Sequence, residues 1–461
     1  MSRSLIVSAS GIRGIVGRGL TPDIAARYGA AFATHIAAGA PGRGHVLIGR
    51  DSRVSGPVLL DAVAAGVRAA GLDVCDLGIV ATPTGLLAVE EDEAAVGGLL
   101  VTASHNPAPW NGLKLVAREG RFLSPAAGRD VQRRFEGEIE SIEYAGSARM
   151  GDRSAREGAG RAHVERILSL PIIDRELIAS NAFHVALDCV RGAGGPIMLP
   201  LLERLGCRVS GLDLEPDGRF PRPPEPLVEN LGKLSECVTE VRADIGFAVD
   251  PDVDRLALVD ENGRPVGEDW TLALAVELVA AREPAPVVTN LSASRLIQDA
   301  ADRVGVPLIR TPVAEANVVA RMLEVGSSIG GEGNGGVIYG GLHLTRDAPL
   351  AAALILQFLA ESRSTLGAVV AERASYRIVK RTISREGLGM EESLAAIAAA
   401  APSEAEMDRQ DGIRLEWPDG SWIHARPSGT EPIFRIMAEA PGEELAGERA
   451  DWIDALVRRG V

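Results

Sequence analysis

The sequence predicts an α/β protein: three related mixed or parallel-sheet α/β domains followed by a smaller C-terminal α+β domain. Three observations predict it. One pattern (apolar strand, Gly- and Ser-rich turn, amphipathic helix, glycine stop, second strand) recurs at "HVLIGRDSRVSGPVLLDAVAAGVRAAGLDVCDLG", "FHVALDCVRGAGGPIMLPLLERLGCRVSGLD" and "PVVTNLSASRLIQDAADRVGVPLIRTPV", with Gly71, Gly206 and Gly305 as the stops. The strands are continuous apolar runs, as expected for parallel sheets covered by helices on both faces. At 461 residues, the chain is also too long for one hydrophobic core.

Near the start, "TPDIAARYGAAF" signals a helix, with Thr21 as cap and Pro22 in its first turn. Residues 142–162 are polar, Gly- and Arg-rich and aperiodic, so they read as a linker. "PDGRFPRPPEP", Pro216 to Pro226, fits neither helix nor central strand and reads as a loop. After about residue 370, "YRIVKRTIS" and "IRLEWPDGSWIHARPSGTEPIFRIMAEA" suggest antiparallel strands beside a helix. These shifts divide the chain at 1–145, 155–258, 259–367 and 372–461.

Composition narrows the function. A net charge of −15 argues against nucleic acid or an anionic membrane as partner, and there is no apolar run long enough to span a bilayer. The start carries too short an apolar stretch for a secretory signal. Cys75, Cys189, Cys207 and Cys237 are scattered, without CxxC pairs, so reduced thiols and a cytoplasmic location are expected. An anionic small substrate stays open, provided that Arg and Lys cluster locally.

Several stretches carry chemistry. In "LLVTASHNP", Ser104 ends an apolar strand with His105 directly behind it; it either shapes a turn or is a nucleophile. It lacks a Gly-x-Ser-x-Gly elbow and a visible Asp partner, which disfavours a serine hydrolase. In "DPDVDR", Asp250, Asp252 and Asp254 alternate, and in an extended segment that places three carboxylates on one side. An all-oxygen set favours Mg²⁺ or Ca²⁺, against the bland reading of a solvated acidic turn. An EF-hand is excluded because Arg255 stands where that loop demands glycine, between strand-like flanks. "RPSGTEP" offers Arg426, Ser428, Gly429 and Thr430, equally a phosphate-holding turn and an ordinary one. "GGEGNGG" displays only Glu332 and Asn334, in alternation, and no Gly-Lys-Ser/Thr follows to make a P-loop. Arg13 in "SGIRG" and Lys114 in "NGLK" would singly pass for surface charges. Together, a turn serine, three carboxylates and cationic loops suit phosphoryl transfer, which needs positioning and charge neutralisation above all.

"SGIRG", "TASHNP", "DPDVDR", "GGEGNGG" and "RPSGTEP" resemble, in order, the signature loops of the α-D-phosphohexomutase superfamily, which includes phosphoglucomutases, phosphomannomutases and phosphoglucosamine mutases. The resemblance spans essentially the whole chain and implies four domains around a central cleft. It implies that Ser104 is phosphorylated and that Asp250, Asp252 and Asp254 hold one Mg²⁺ with it. Arg13, Lys114 and Arg255 would surround the phosphoryl group. Glu332 and Asn334 would read the sugar, and Arg426, Ser428, Gly429 and Thr430 would bind the distal phosphate. The expected reaction interconverts hexose 6-phosphate and hexose 1-phosphate, with a hexose 1,6-bisphosphate as intermediate and activator. Bacterial relatives commonly show Ser-Gly-His where this chain has Asn334-Gly335-Gly336, so the general acid/base role falls to Lys114, His105 or His343. The Glu-Gly-Asn-Gly-Gly form is similar to archaeal-type phosphoglucosamine mutases, which favours glucosamine phosphate over mannose or glucose phosphate. The alternatives of another class are a Mg²⁺-dependent phosphatase using Asp250 and a non-catalytic sugar-phosphate-binding protein. Monomer and dimer are both compatible with the sequence.

Overall fold

A computed structural model describes residues 5–8, 10–39, 44–138, 142–373, 376–384, 389–428 and 433–459. The chain forms two compact units, Met1–Thr271 with Gly336–Leu366, and Leu272–Gly335 with Gly367–Val461.

In the first unit, a seven-stranded sheet runs Leu5–Ser8, Gly11–Ile15, Trp110–Ala117, Ala95–Val101, His45–Arg50, Asp73–Ile79, Arg153–Ala155. The strands His45–Arg50, Ala95–Val101 and Asp73–Ile79 are parallel, whereas the Gly11–Ile15 side is antiparallel. The strand Ala95–Val101 is buried along nearly its whole length and ends three residues before Ser104. A second sheet orders Leu256–Val259, Ile245–Val249, His184–Asp188 and Arg208–Leu212, with only Leu256–Val259 antiparallel. Every residue of Ile245–Val249 is buried, and Asp250 follows directly at its carboxyl end. The Ser104 and Asp250 loops therefore both leave the carboxyl ends of parallel strands, where open α/β sheets place their ligands.

The three repeats fold as read. Each gives a parallel strand pair around a helix: His45–Arg50 with Asp73–Ile79, His184–Asp188 with Arg208–Leu212, and Val287–Asn290 with Leu308–Thr311. Gly71, Gly206 and Gly305 each adopt positive φ (92°, 82° and 73°), the left-handed stop that only glycine takes cheaply. The helix Pro22–Ala37 begins as expected with proline in its first turn, but Thr21 makes no capping bond. Residues 142–162 differ from the linker reading: Arg153–Ala155 adds a parallel edge strand to Asp73–Ile79. The Arg153 guanidinium anchors it on Asp61 and Asp76, both 2.7 Å away. A three-residue exposed strand has no apolar pattern to announce it.

In the second unit, Leu308–Thr311, Val287–Asn290 and Ile329–Glu332 lie side by side in parallel. The C-terminal part is a five-stranded antiparallel sheet, Arg377–Ser384, Ile433–Ala440, Trp422–Pro427, Ile413–Glu416, Glu406–Asp408, packed on the helices Met390–Ala400 and Glu443–Arg459. This is the smaller α+β domain that the change of pattern near residue 370 predicts.

Candidate active site

In the first unit the serine and the three aspartates meet. Ser104 is 9% exposed, and its hydroxyl donates to Asp250 Oδ2 at 3.3 Å. Its Oγ also lies 3.3 Å from His105 Nδ1. The backbone of Ser104 is left-handed, with φ 50°, a costly conformation for a residue other than glycine.

The aspartates converge by a turn and not by the strand alternation that their spacing suggests. Val253 takes φ 65°, and Asp250 Oδ1 accepts from the backbone N–H groups of Asp254 (3.1 Å) and Arg255 (3.3 Å). The chain thus folds back on Asp250, which brings one oxygen from each carboxylate within 4.8 Å of the others. Asp252 Oδ2 accepts from Thr82 Oγ1 and Lys114 Nζ, each at 2.8 Å. Lys114 Nζ is 3.6 Å from Asp254 Oδ2, which also accepts from Arg346 at 2.7 Å.

Does this cluster fit a cation? Asp252 Oδ1 and Asp254 Oδ1 are buried and accept no hydrogen bond. Buried anionic oxygens are normally satisfied, so two without donors in an all-oxygen cluster fit a hard divalent ion. The charges agree. Burial, reinforced by the Asp254 and Asp252 charges, pushes the Asp250 carboxyl well above its ordinary range. For Asp252 burial works in the same direction, but the Lys114 ammonium and the hydrogen bonds with Lys114, Asp250 and Thr82 outweigh it and hold the carboxyl below that range. Without a cation, a proton on Asp250 relieves the repulsion.

The other expected residues divide. Burial would depress the Lys114 ammonium, but Asp252 and Asp254 raise it, so it stands as a fixed cation. Arg255 donates to Glu225 at 2.7 Å, and His105 Nε2 lies 3.7 Å from the same oxygen, beyond a hydrogen bond. Burial and the Arg255 charge hold His105 well below its usual range, which leaves it neutral. Arg13 reaches the serine loop through Asn106 Oδ1 at 3.3 Å. His343 is corrected: it is 2% exposed, with Nε2 2.8 Å from Asp347 Oδ2, an oxygen that His163 Nε2 shares at the same distance. Buried on a carboxylate that caps the helix Ala348–Ser362, it has no route to a substrate proton. Thr82, Glu225 and Arg346 escaped the sequence reading; only Glu225, inside a singled-out loop, carried any signal.

In the second unit, Glu332 closes the strand Ile329–Glu332. It accepts from Asn290 Nδ2 at 2.9 Å and from Asn334 Nδ2 at 3.4 Å, so the two alternating side chains do share one place. Arg426 lies 3.6 Å from Asp411 and directly opposite Arg435 on the neighbouring strand. Burial lowers the Arg426 guanidinium, with Asp411 and Glu332 opposing and Arg435 adding to the effect. Two arginines at opposed positions repel each other, and Asp411 offsets that repulsion at Arg426. Ser428, two residues beyond Arg426, is buried, while Gly429 and Thr430 lie outside the described residues.

Beneath Arg426, His424 Nε2 donates to the Asp411 carbonyl at 2.7 Å, so its Nδ1 accepts from Ser292 Oγ at 2.8 Å. Burial brings its pKa down to about 4, against the nearby Asp411 and with Arg414 and Arg426. A depressed histidine contributes stability that is full above its unfolded value near 6.5 and is lost as pH falls towards 4. Urea unfolding followed by tryptophan fluorescence is therefore expected to show a loss of about 2 kcal/mol between pH 6.5 and 5, mostly absent in His424→Gln.

Comparison with known proteins decides what this arrangement belongs to. Models of phosphoglucomutase/phosphomannomutase match residues 4–141 as alpha/beta/alpha domain I, 161–263 as domain II, 267–376 as domain III and 379–456 as the C-terminal domain. The chain belongs to the phosphoglucomutase/phosphomannomutase family. It is 37% identical to a probable phosphoglucosamine mutase of Methanopyrus kandleri, over 98% of this chain and 97% of that protein. It is 36% identical to a phosphoglucomutase/phosphomannomutase of Thermococcus kodakarensis, over 95% of each. The crystal structure of a phosphoglucomutase/phosphomannomutase family protein from Burkholderia thailandensis, 28% identical, superposes with a TM-score of 0.86 over 100% of this chain and 98% of that one. This phosphohexomutase is an isomerase with the family's four-domain α/β architecture. No helix among its described residues is long and apolar enough to cross a membrane.

Proposed function

We propose that this phosphohexomutase carries its phosphoryl group on Ser104 and interconverts glucosamine 6-phosphate and glucosamine 1-phosphate through a bound hexose 1,6-bisphosphate. The observation that carries the reading is the Ser104 hydroxyl 3.3 Å from Asp250, beside two buried carboxylate oxygens without donors. A Mg²⁺ held by Asp250, Asp252, Asp254 and the Ser104 oxygen would supply neutralising charge to the phosphoryl oxygens. Lys114, Arg255, Arg13 and Arg346 add fixed positive charge that needs no reorganisation as the phosphoryl moves.

In the forward step the bond from Ser104 Oγ to phosphorus breaks as a sugar hydroxyl forms its own ester, and the proton that this hydroxyl loses ends on Ser104 Oγ. In the return step Ser104 Oγ attacks the phosphorus of the other phosphate, whose bond to the sugar oxygen breaks; the proton that Ser104 sheds, taken first by His105 Nδ1 or Asp250 Oδ2, each 3.3 Å away, ends on that sugar oxygen. Glu332 and Asn334 read the sugar, while Arg426, Ser428 and Arg435, with Gly429 and Thr430, hold the phosphate that does not react. Support for glucosamine phosphate comes from the name of the Methanopyrus relative and from Asn334, whose amide oxygen can accept from a 2-amino group. The Thermococcus relative favours mannose or glucose phosphate as the second reading.

Phosphorus NMR tests the substrate, with Mg²⁺, a trace of bisphosphate and the 6-phosphates of glucosamine, glucose and mannose in separate tubes. The expected outcome is fastest formation of glucosamine 1-phosphate. A faster mannose or glucose reaction would overturn the substrate and keep the chemistry. Inorganic phosphate without any 1-phosphate would overturn both.

A further inference from the structure

We infer that Arg53, in the Ser-rich turn of the first repeat, is the positioning residue that holds Ser104 in its reactive conformation. The inference rests on Ser104 as the phosphoryl carrier. Arg53 is 1% exposed and uses all five of its N–H donors. Its Nε donates to Asp51 Oδ2 at 3.0 Å. One terminal nitrogen donates to the carbonyls of Pro107 (2.9 Å) and Trp110 (3.0 Å). The other donates to those of Ser104 (2.6 Å) and Asn106 (2.7 Å). Four of the five acceptors are backbone oxygens, three in the serine loop and one, Trp110, at the start of the strand that follows it.

A buried arginine that merely stabilised packing would have no reason to concentrate its bonds on one loop. Here the loop contains the left-handed Ser104, at φ 50°. That conformation persists only where the surroundings over-determine it. A second path from the same anchor does so: Thr102 Oγ1 donates to Asp51 Oδ2 at 2.7 Å and accepts from the Ser104 backbone N–H at 2.9 Å. Both the N–H and the C=O of Ser104 thus trace back to the Asp51–Arg53 pair, leaving the side chain aimed at Asp250. From the other side, Phe220 packs its ring 5.0 Å from the guanidinium. Gly218 lets that loop close in, since a Cβ there would fall 2.2 Å from the Ser52 carbonyl oxygen.

Lysine cannot replace a planar five-donor fork. In Arg53→Lys, transfer of a phosphoryl group from glucose 1,6-bisphosphate to Ser104, followed by intact-protein mass, is expected to slow about 100-fold, with kcat falling in parallel. KM for the hexose phosphate should stay within about threefold, because Arg53 is buried with its five donors already spent on the protein, and a generally damaged fold would not spare it. Thr102→Val, which removes only the hydroxyl path, should slow the same transfer about tenfold and decides the matter if Arg53→Lys does not fold. Transfer rates within threefold of the parent in folded variants, or a rise in KM with kcat intact, would overturn the role of Arg53. A parent protein that never gains a phosphoryl group on Ser104 would instead overturn the phosphoserine reading on which it rests.

Discussion

Replacing Ser104 by alanine is expected to lower mutase turnover by on the order of 10⁵ or more while leaving the protein folded. The size follows from chemistry. If the phosphoryl group rides on Ser104 Oγ, no neighbouring side chain can substitute: His105 Nδ1 and Asp250 Oδ2 sit 3.3 Å from that oxygen, but the site's charges are arranged for an ester at the serine. The mild structural effect follows from geometry. The hydroxyl makes only two long contacts, and the loop is held through backbone atoms and not through this side chain. Phosphorus NMR of the Ser104→Ala reaction, with intact-protein mass for the missing phosphoryl group, checks both. Retained turnover would point to a phosphatase-like carrier at Asp250.

Asp252→Asn is expected to weaken Mg²⁺ binding at least about 100-fold and to lower kcat about 1,000-fold, read by titration calorimetry and initial rates. Asn keeps the shape but loses the charge on which two groups depend. Lys114 loses its 2.8 Å partner and keeps only Asp254 at 3.6 Å, so the variant also holds a poorly compensated buried ammonium. Breaking a buried pair typically costs about 3–5 kcal/mol, partly offset here by relief of repulsion among the three carboxylates. Asp250→Asn should behave differently in the metal-free protein. Burial and its two acidic neighbours already favour a proton on Asp250, so a neutral amide there resembles the resting state. Thermal unfolding without metal should therefore distinguish the variants: Asp252→Asn lowers the midpoint and Asp250→Asn barely moves it, although both lose Mg²⁺. Equal midpoints would contradict this assignment of charge within the cluster.

The depth to which the sequence could be read followed the range of the interactions. The three strand–helix–strand repeats and their glycine stops are local: hydrophobic period and one left-handed residue are decided within a few positions. Ser104 and the aspartates were legible because strand ends carrying such residues are chemically unusual in themselves. The conformation of "DPDVDR" was not, since period-two spacing reads as extended, yet backbone N–H groups folding onto Asp250 made a turn the better solution. Arg153–Ala155 was hidden for a related reason: its partner strand and its two aspartates lie far away in sequence.

By itself, then, the sequence determined the class of fold and the family's phosphohexomutase chemistry, and it singled out the serine and the carboxylate trio that the structure brings together. Only the tertiary structure decided which groups each carboxylate meets. Lys114 meets Asp252 across 138 positions, Thr82 meets it across 170, and Arg346 meets Asp254 across 92. The same holds for Arg53, whose five donors find their acceptors only once two strand ends are side by side. A lone arginine or lysine looks alike in sequence whether it is solvated or spent on a buried carboxylate. The physical difference is burial and a few ångströms of distance, and those exist only after the chain has folded.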